Sequence, residues 1–206
     1  MVSDNPLDTK TCQIVKYLVS RLPGRLGKTK IVKLLYLADL ESRRLMGKPI
    51  SEMRYRWYNH GPWDERVDVC LKALTEAKSI EVEIYPMHGW YGSLYHNLGG
   101  NIDSGLSQAE KRILDYLIQE YGQKKLKELL EEIVYETTPM KDVRERKAFN
   151  EFLRMELVDN ELRAAFGDVD FEDLVAGEND ILEGRSTPLS EVLSELEHRN
   201  SSEGTR

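Results

Sequence analysis

One stretch limits the possible folds more than any other. From Lys28 to Met46 the chain reads as a helix, and within it Ile31, Val32, Leu34, Leu35, Leu37, Ala38 and Leu40 are apolar nearly all the way round. A helix without a polar face has to be surrounded by other elements, so this one is expected at the centre of the fold. Gly47 supplies the left-handed residue that stops it, and Pro49 lies just beyond. An aromatic stretch, Tyr55-Arg56-Trp57-Tyr58, follows as a short strand or extended linker. Gly61 then suits an N-cap and Pro62 a first helical position, which predicts that the next helix starts there, with Asp64 and Glu65 in its first turn.

The flanking segments suit a central helix. Asp8 is a plausible N-cap for a first helix whose apolar face is Ile14, Val15, Leu18, Val19 and Leu22. Val67, Cys70, Leu71 and Leu74 form the stripe of the helix after Pro62. Ile80, Val82 and Ile84 alternate with Glu81, Glu83 and Tyr85 as a half-buried strand, and Trp90 to Leu98 can return beside it. Ser107 and Glu110 make a capping box ahead of Ile113, Leu114, Leu117 and Ile118, and Gly122 closes that helix. Leu126, Leu129, Leu130, Ile133 and Val134 predict a further helix. Thr138-Pro139 restarts the chain into a helix carrying Phe149, Phe152 and Leu153. The expected class is mainly α with a small antiparallel hairpin (α+β), a helical bundle whose helices followed by a hairpin resemble a winged helix. Residues 7–157 form the domain. Residues 158–206 are expected to form a partly mobile acidic linker or loosely docked segment, rich in Asp and Glu from Asp168 to Glu183, and a short helix from Thr187-Pro188 through Leu196.

Catalytic and metal motifs are missing from the sequence. The four histidines, His60, His88, His96 and His198, match no nucleophile or zinc spacing. No glycine-rich phosphate loop follows a strand, so no cofactor is expected. Asp39 sits within the apolar helix and needs a partner, for which Lys33, Arg54 and Arg56 are candidates. Cys12 and Cys70 fall among apolar positions without a disulfide framework. No apolar run is long enough to span a bilayer, and a cytoplasmic location is expected.

Charge and aromatic content point to binding. The net charge is −7, yet no acidic residue falls between Asp8 and Asp39, where Lys10, Lys16, Arg21, Arg25, Lys28, Lys30 and Lys33 lie. Such a basic island fits nucleic acid or an acidic protein, and is equally the solvated face of a helix. Tyr55, Trp57, Tyr58 and Trp63 are of the types that dominate protein–protein hot spots, and the same types fill cores. The candidate partner surface is therefore Tyr55, Trp57, Tyr58 and Trp63, with Lys28, Lys30 and Lys33 steering.

Four stretches carry a family resemblance. They are Lys33-Leu34-Leu35-Tyr36-Leu37-Ala38-Asp39, Gly47-Lys48-Pro49-Ile50, Tyr58-Asn59-His60-Gly61-Pro62, and Leu106-Ser107 through Tyr121-Gly122. In this order and spacing the chain resembles the Panacea domain, the SocA-like antitoxin family, over about Leu7 to Phe152. Tyr36, Asp39, Gly47, Pro49, Gly61 and Pro62 are the motif positions, read as structural. The resemblance implies no enzyme activity and a cognate toxin as partner, neutralised by direct binding or by delivery to a protease or its unfoldase. The family's His and Pro-Trp pair are replaced here by Tyr135 and Pro139-Met140. The alternative is a winged-helix regulator that binds nucleic acid.

Overall fold

A computed structural model describes residues 6–22, 24–87, 90–99, 105–159, 170–183 and 185. The turn at His88-Gly89 and the helix expected from Thr187 to Leu196 lie outside these residues. Helix α1 is Lys10–Arg21, strand β1 is Leu26–Gly27 and helix α2 is Lys28–Met46. Strands β2, Arg56–Tyr58, and β3, Gly61–Trp63, precede helix α3, Arg66–Glu76. Strands β4, Ile80–Met87, and β5, Trp90–Asn97, lead to helix α4, Gln108–Tyr121. The short helix α5, Leu126–Glu128, is followed by α6, Thr138–Glu145, and α7, Phe171–Leu182. The fold is mainly α with small antiparallel sheets, as its helical and alternating patterns predict.

Helix α2 is central. Every residue from Ile31 to Leu40 is buried, and α1, β3, α4 and the turn at Met155–Val158 all lie against it. Gly47 ends it in the left-handed conformation, at φ 70°, and its N–H closes onto the Arg43 carbonyl. Strand β1 pairs with β5, and β5 with β4, in the order β1-β5-β4. Apart from the β2–β3 hairpin between α2 and α3, the sequence α1, β1, α2, α3, β4, β5 is the arrangement of a winged helix. The capping box at Ser107 forms in full, each partner bonding the other's backbone N–H.

Several local expectations are corrected. The N-cap of α1 is Thr9, not Asp8, and its hydroxyl accepts from the Cys12 N–H. Gly61-Pro62 does not begin a helix. Gly61 turns the β2–β3 hairpin at φ 83°, Tyr58 pairs with Gly61 and Arg56 with Trp63, and α3 starts only at Arg66. A Gly-Pro pair serves a hairpin turn as well as it serves a helix start, and the facing strand decides which forms. The helix expected from Leu126 to Val134 is one turn of α-helix, then a π-helical turn at Leu129–Ile133 and a 3-10 turn at Val134–Glu136. Thr137, not Thr138, caps α6. Helix α6 stops at Glu145, so Phe149 and Phe152 are not helical. Left-handed Lys147 ends it, with its N–H on the Arg144 carbonyl and that of Ala148 on Val143. Within the stretch expected to be a linker, α7 forms and docks through buried Val175 and ion pairs Arg112–Glu178 and Lys48–Glu172.

Gly61 faces the side chain of Tyr135, and an added Cβ would come within 3.3 Å of that ring. Gly61→Ala is expected to lower stability by about 1–2 kcal/mol, because a left-handed backbone and a close neighbour act together. Urea denaturation measures this, and an unchanged midpoint refutes it.

Candidate functional site

The candidate surface is built on a strand that the sequence only hints at. From Ser51 to Tyr58 burial alternates: Ser51, Met53 and Tyr55 point inward, Trp57 is half-buried, and Glu52, Arg54, Arg56 and Tyr58 point outward. Such alternation is the signature of an extended chain laid on a core. On the far side of β2 the segment after α6 adds a third extended chain. Trp57 donates its N–H to Glu151 and accepts from Asn150, while Leu153 donates to the Tyr55 carbonyl. Arg56 and Phe152 face each other across this pairing. Asn150 takes a left-handed backbone at φ 67°, which asparagine tolerates, and so lets the chain turn into register.

The outward face is aromatic and basic. Tyr58, Phe149 and Phe152 are 43%, 52% and 42% exposed. Tyr58 stacks on Phe149 at 5.8 Å and meets Trp63 at 5.7 Å, and Trp57 meets Phe149 edge-on. The guanidinium groups of Arg54 and Arg56 lie over the Phe152 ring. Arg54, Arg56, Tyr58, Phe152, Trp63 and Arg66 line a groove of about 460 Å³. Tyr58 and Trp63 also wall a smaller hollow of about 180 Å³ beside Lys28 and His60.

Beneath the face, polar groups tie the strands to α2. The Asp39 carboxylate accepts from the backbone N–H of Ser51 at 2.7 Å, from the Ser51 hydroxyl, and from the Tyr55 hydroxyl at 2.8 Å. Burial pushes the Asp39 carboxyl upward, and these bonds oppose that shift. Neither Lys33, Arg54 nor Arg56 is its partner, so the expected ion pair is corrected to a neutral hydrogen-bond set. Lys33 donates instead to the Pro62 carbonyl at 2.6 Å. Asp64 is held by Arg66 and by the N–H groups of Arg54 and Arg66. Burial would raise the Asp64 carboxyl, but those bonds outweigh it and leave the group below its ordinary value.

Of the seven partner residues expected from the sequence, Tyr58 and Trp63 come together on the open face. Tyr55, 1% exposed, and Lys33, 2% exposed, are buried and are corrected to core residues. Inward register places Tyr55, and the Pro62 carbonyl draws Lys33 in. Trp57 is half-buried against the core. Lys30 donates to the carbonyls of Gly122 and Lys124 at the end of α4, and Lys28 pairs with Asp68 at 2.9 Å. Both are therefore engaged in holding the fold. Arg54 and Arg56 as surface groups, Phe149 and Phe152 were missed. The alternation from Ser51 carries the signal for the arginines. The two phenylalanines reach the face through a pairing about a hundred residues away in sequence, and no local pattern announces it.

Among the motif positions, Tyr36 bonds Thr137 at 2.6 Å and meets the Tyr55 ring edge-on, and Gly61 and Pro62 are buried in the hairpin. Pro49 is exposed beside the α2 stop. Met140 is fully buried, and half-buried Tyr135 lies beneath Gly61 with Arg144 over its ring. Cys12 and Cys70 are buried and unbridged. Among the described residues no group of His, Cys, Asp or Glu could hold a metal ion, and no helix is long and apolar enough to cross a membrane.

Fold and face together define a helical domain of winged-helix arrangement with an exposed aromatic and arginine surface. Residues 31–139 match the family model of the antitoxin SocA-like Panacea domain, and the chain belongs to that family. Membership associates it with toxin–antitoxin systems, and the family is not one of known enzymes. No curated protein and no solved structure matches the chain.

Burial pushes the Lys33 ammonium down to about 7. Between that value and the ordinary amine value of about 10.4, unfolding takes up a proton, so Lys33 makes stability rise with pH in this window. From pH 7 to 9 the contribution is about 2 kcal/mol. Lys33→Met should flatten the pH dependence of the urea midpoint over that range, and an unaltered slope would show that Lys33 titrates normally.

Proposed function

We propose that this protein is the antitoxin of a toxin–antitoxin pair and neutralises its toxin by direct protein–protein contact through the face formed by Tyr58, Trp63 and Phe149. Family membership supports the toxin as partner. The observation that carries the choice of surface is the ring cluster of exposed Tyr58 and Phe149, stacked on each other, with half-buried Trp63 beside them. Large rings left partly open beside arginines are the composition of binding hot spots. The face is also tied into the fold. Arg146 and Arg154 both bind Asp142, Arg146 binds Glu151, and backbone bonds fix the 150–153 segment to β2. Little ordering cost then remains when a partner docks.

The geometry gives less support to the nucleic-acid alternative. In a winged helix, α3 and the β4–β5 hairpin are the elements that would approach a duplex. Here their exposed positions include Asp68, Glu76, Glu81 and Glu83. Three of the seven cations in the basic island are paired with carboxylates: Arg25 with Glu83, Lys28 with Asp68, and Lys10 with Glu110. Phosphate binding needs uncompensated cations.

Co-expression with the product of the neighbouring gene tests the reading. Cells that the product alone arrests should grow when this protein is present. Tyr58→Ala and Phe149→Ala should each weaken the complex by roughly 30-fold, the loss typical of a hot-spot ring. A neighbouring product that is harmless alone, or equally toxic with this protein present, would refute the proposal.

A further inference from the structure

Arg54 and Arg56 differ from the other arginines around the groove. Arg66 is tied to Asp64, and Arg146 and Arg154 to Asp142. Arg54 and Arg56 are exposed and form no salt bridge among the described residues. Their guanidinium carbons lie 4.7 and 4.2 Å from the centroid of one ring, that of Phe152. A guanidinium held against a ring still has N–H groups that can donate, in the fork geometry that matches a carboxylate. Two residues apart along the chain and set beside one ring, the two cations repel each other, and an anion that bonds both relieves that repulsion. The one carboxylate in the adjoining strand, Glu151, is turned to Arg146.

We propose that Arg54 and Arg56, braced on Phe152, form a clamp for an acidic segment of the partner protein, with Tyr58 and Trp63 taking an apolar side chain beside it. This rests on the toxin-binding reading and names the chemistry of the toxin surface that is bound. The groove favours a short acidic stretch over a nucleic-acid backbone. Exposed Glu65 also lines it and would repel a continuous run of phosphates, whereas a pair of carboxylates needs only the two arginines. Charge complementarity at such a site sets orientation and speeds association. The bracing ring lies beyond residues 31–139, so the clamp combines a strand of the family domain with a segment that follows it.

Calorimetric titration of the full-length protein with the purified product of the neighbouring gene tests the clamp. Arg54→Glu and Arg56→Glu should each weaken binding by roughly 30-fold or more. Lys127→Glu makes the same change in net charge at an exposed position on α5 and should alter affinity by less than about twofold. Wild-type affinity should also fall more steeply with salt than that of the Arg54→Glu/Arg56→Glu variant. Arg54→Lys/Arg56→Lys should recover only part of the loss, because an ammonium keeps the charge and loses the stacked fork. A charge-reversed variant that melts at the wild-type temperature and binds equally well overturns the clamp and leaves the toxin reading standing. If a reversed variant loses its cooperative melt, Arg54→Gln and Arg56→Gln give the same readout. Failure of the wild type to bind overturns both readings. Binding of a single-stranded oligonucleotide that the same substitutions abolish overturns the acidic-protein assignment.

Discussion

The Asp39 carboxyl is the most demanding group in the core. It is 1% exposed on a helix buried on every side, and a buried carboxyl left unpartnered costs several kcal/mol. Its three hydrogen bonds come from residues of one extended segment, Ser51 and Tyr55. The strand beside α2 can therefore adopt one register only. A slip by one residue would pull Tyr55 away from Asp39, turn Arg54 and Arg56 into the core and leave the carboxyl without donors. The same requirement explains why the outward face has the composition it has.

Asp39 does not act alone on α2. Lys33, Tyr36 and Asp39 are spaced by three along the helix and so lie along one side of it. Each reaches a different segment: Lys33 the Pro62 carbonyl in β3, Tyr36 the Thr137 hydroxyl ahead of α6, Asp39 the strand leading into β2. The Thr137 hydroxyl donates its hydrogen bond to the Val134 carbonyl, which leaves Tyr36 as the donor in its bond with Thr137. One row of polar groups thus positions the hairpin, the turn before α6 and, through the backbone bonds to β2, the segment carrying Phe149 and Phe152.

Legibility in the sequence followed the range of the forces involved. The central helix, its stop at Gly47, the Ser107 capping box and the β4–β5 alternation depend on neighbours a few residues away, and all were readable. The Gly61-Pro62 hairpin, the end of α6 at Glu145 and the place of Phe152 depend on pairing between distant segments. Locally, each resembles something else. At α7 the acidic residues masked a helix whose inward contact is Val175, with ion pairs at its rim. Asp39 was identified as needing a partner, but cations were the wrong candidates. Hydroxyl and amide donors can enter a dry core without a charge of their own to desolvate, whereas an arginine carries its own penalty with it.

The same physics separates the buried motif residues from the outward-facing ones. Tyr36, Asp39, Gly61 and Pro62 are buried: Tyr36 bonds the Thr137 hydroxyl, Asp39 accepts from Ser51 and Tyr55, and the Pro62 carbonyl accepts from Lys33. Any exchange among them disturbs a hydrogen bond or a left-handed turn inside the core. Arg54, Arg56, Tyr58, Phe149 and Phe152 project from the same strands toward solvent, where substitution changes a surface and leaves the register intact. A domain built this way holds its backbone through inward residues, and its outward ones can change without disturbing the register. Period-two alternation makes the division sharp, since neighbouring residues on one strand serve opposite ends.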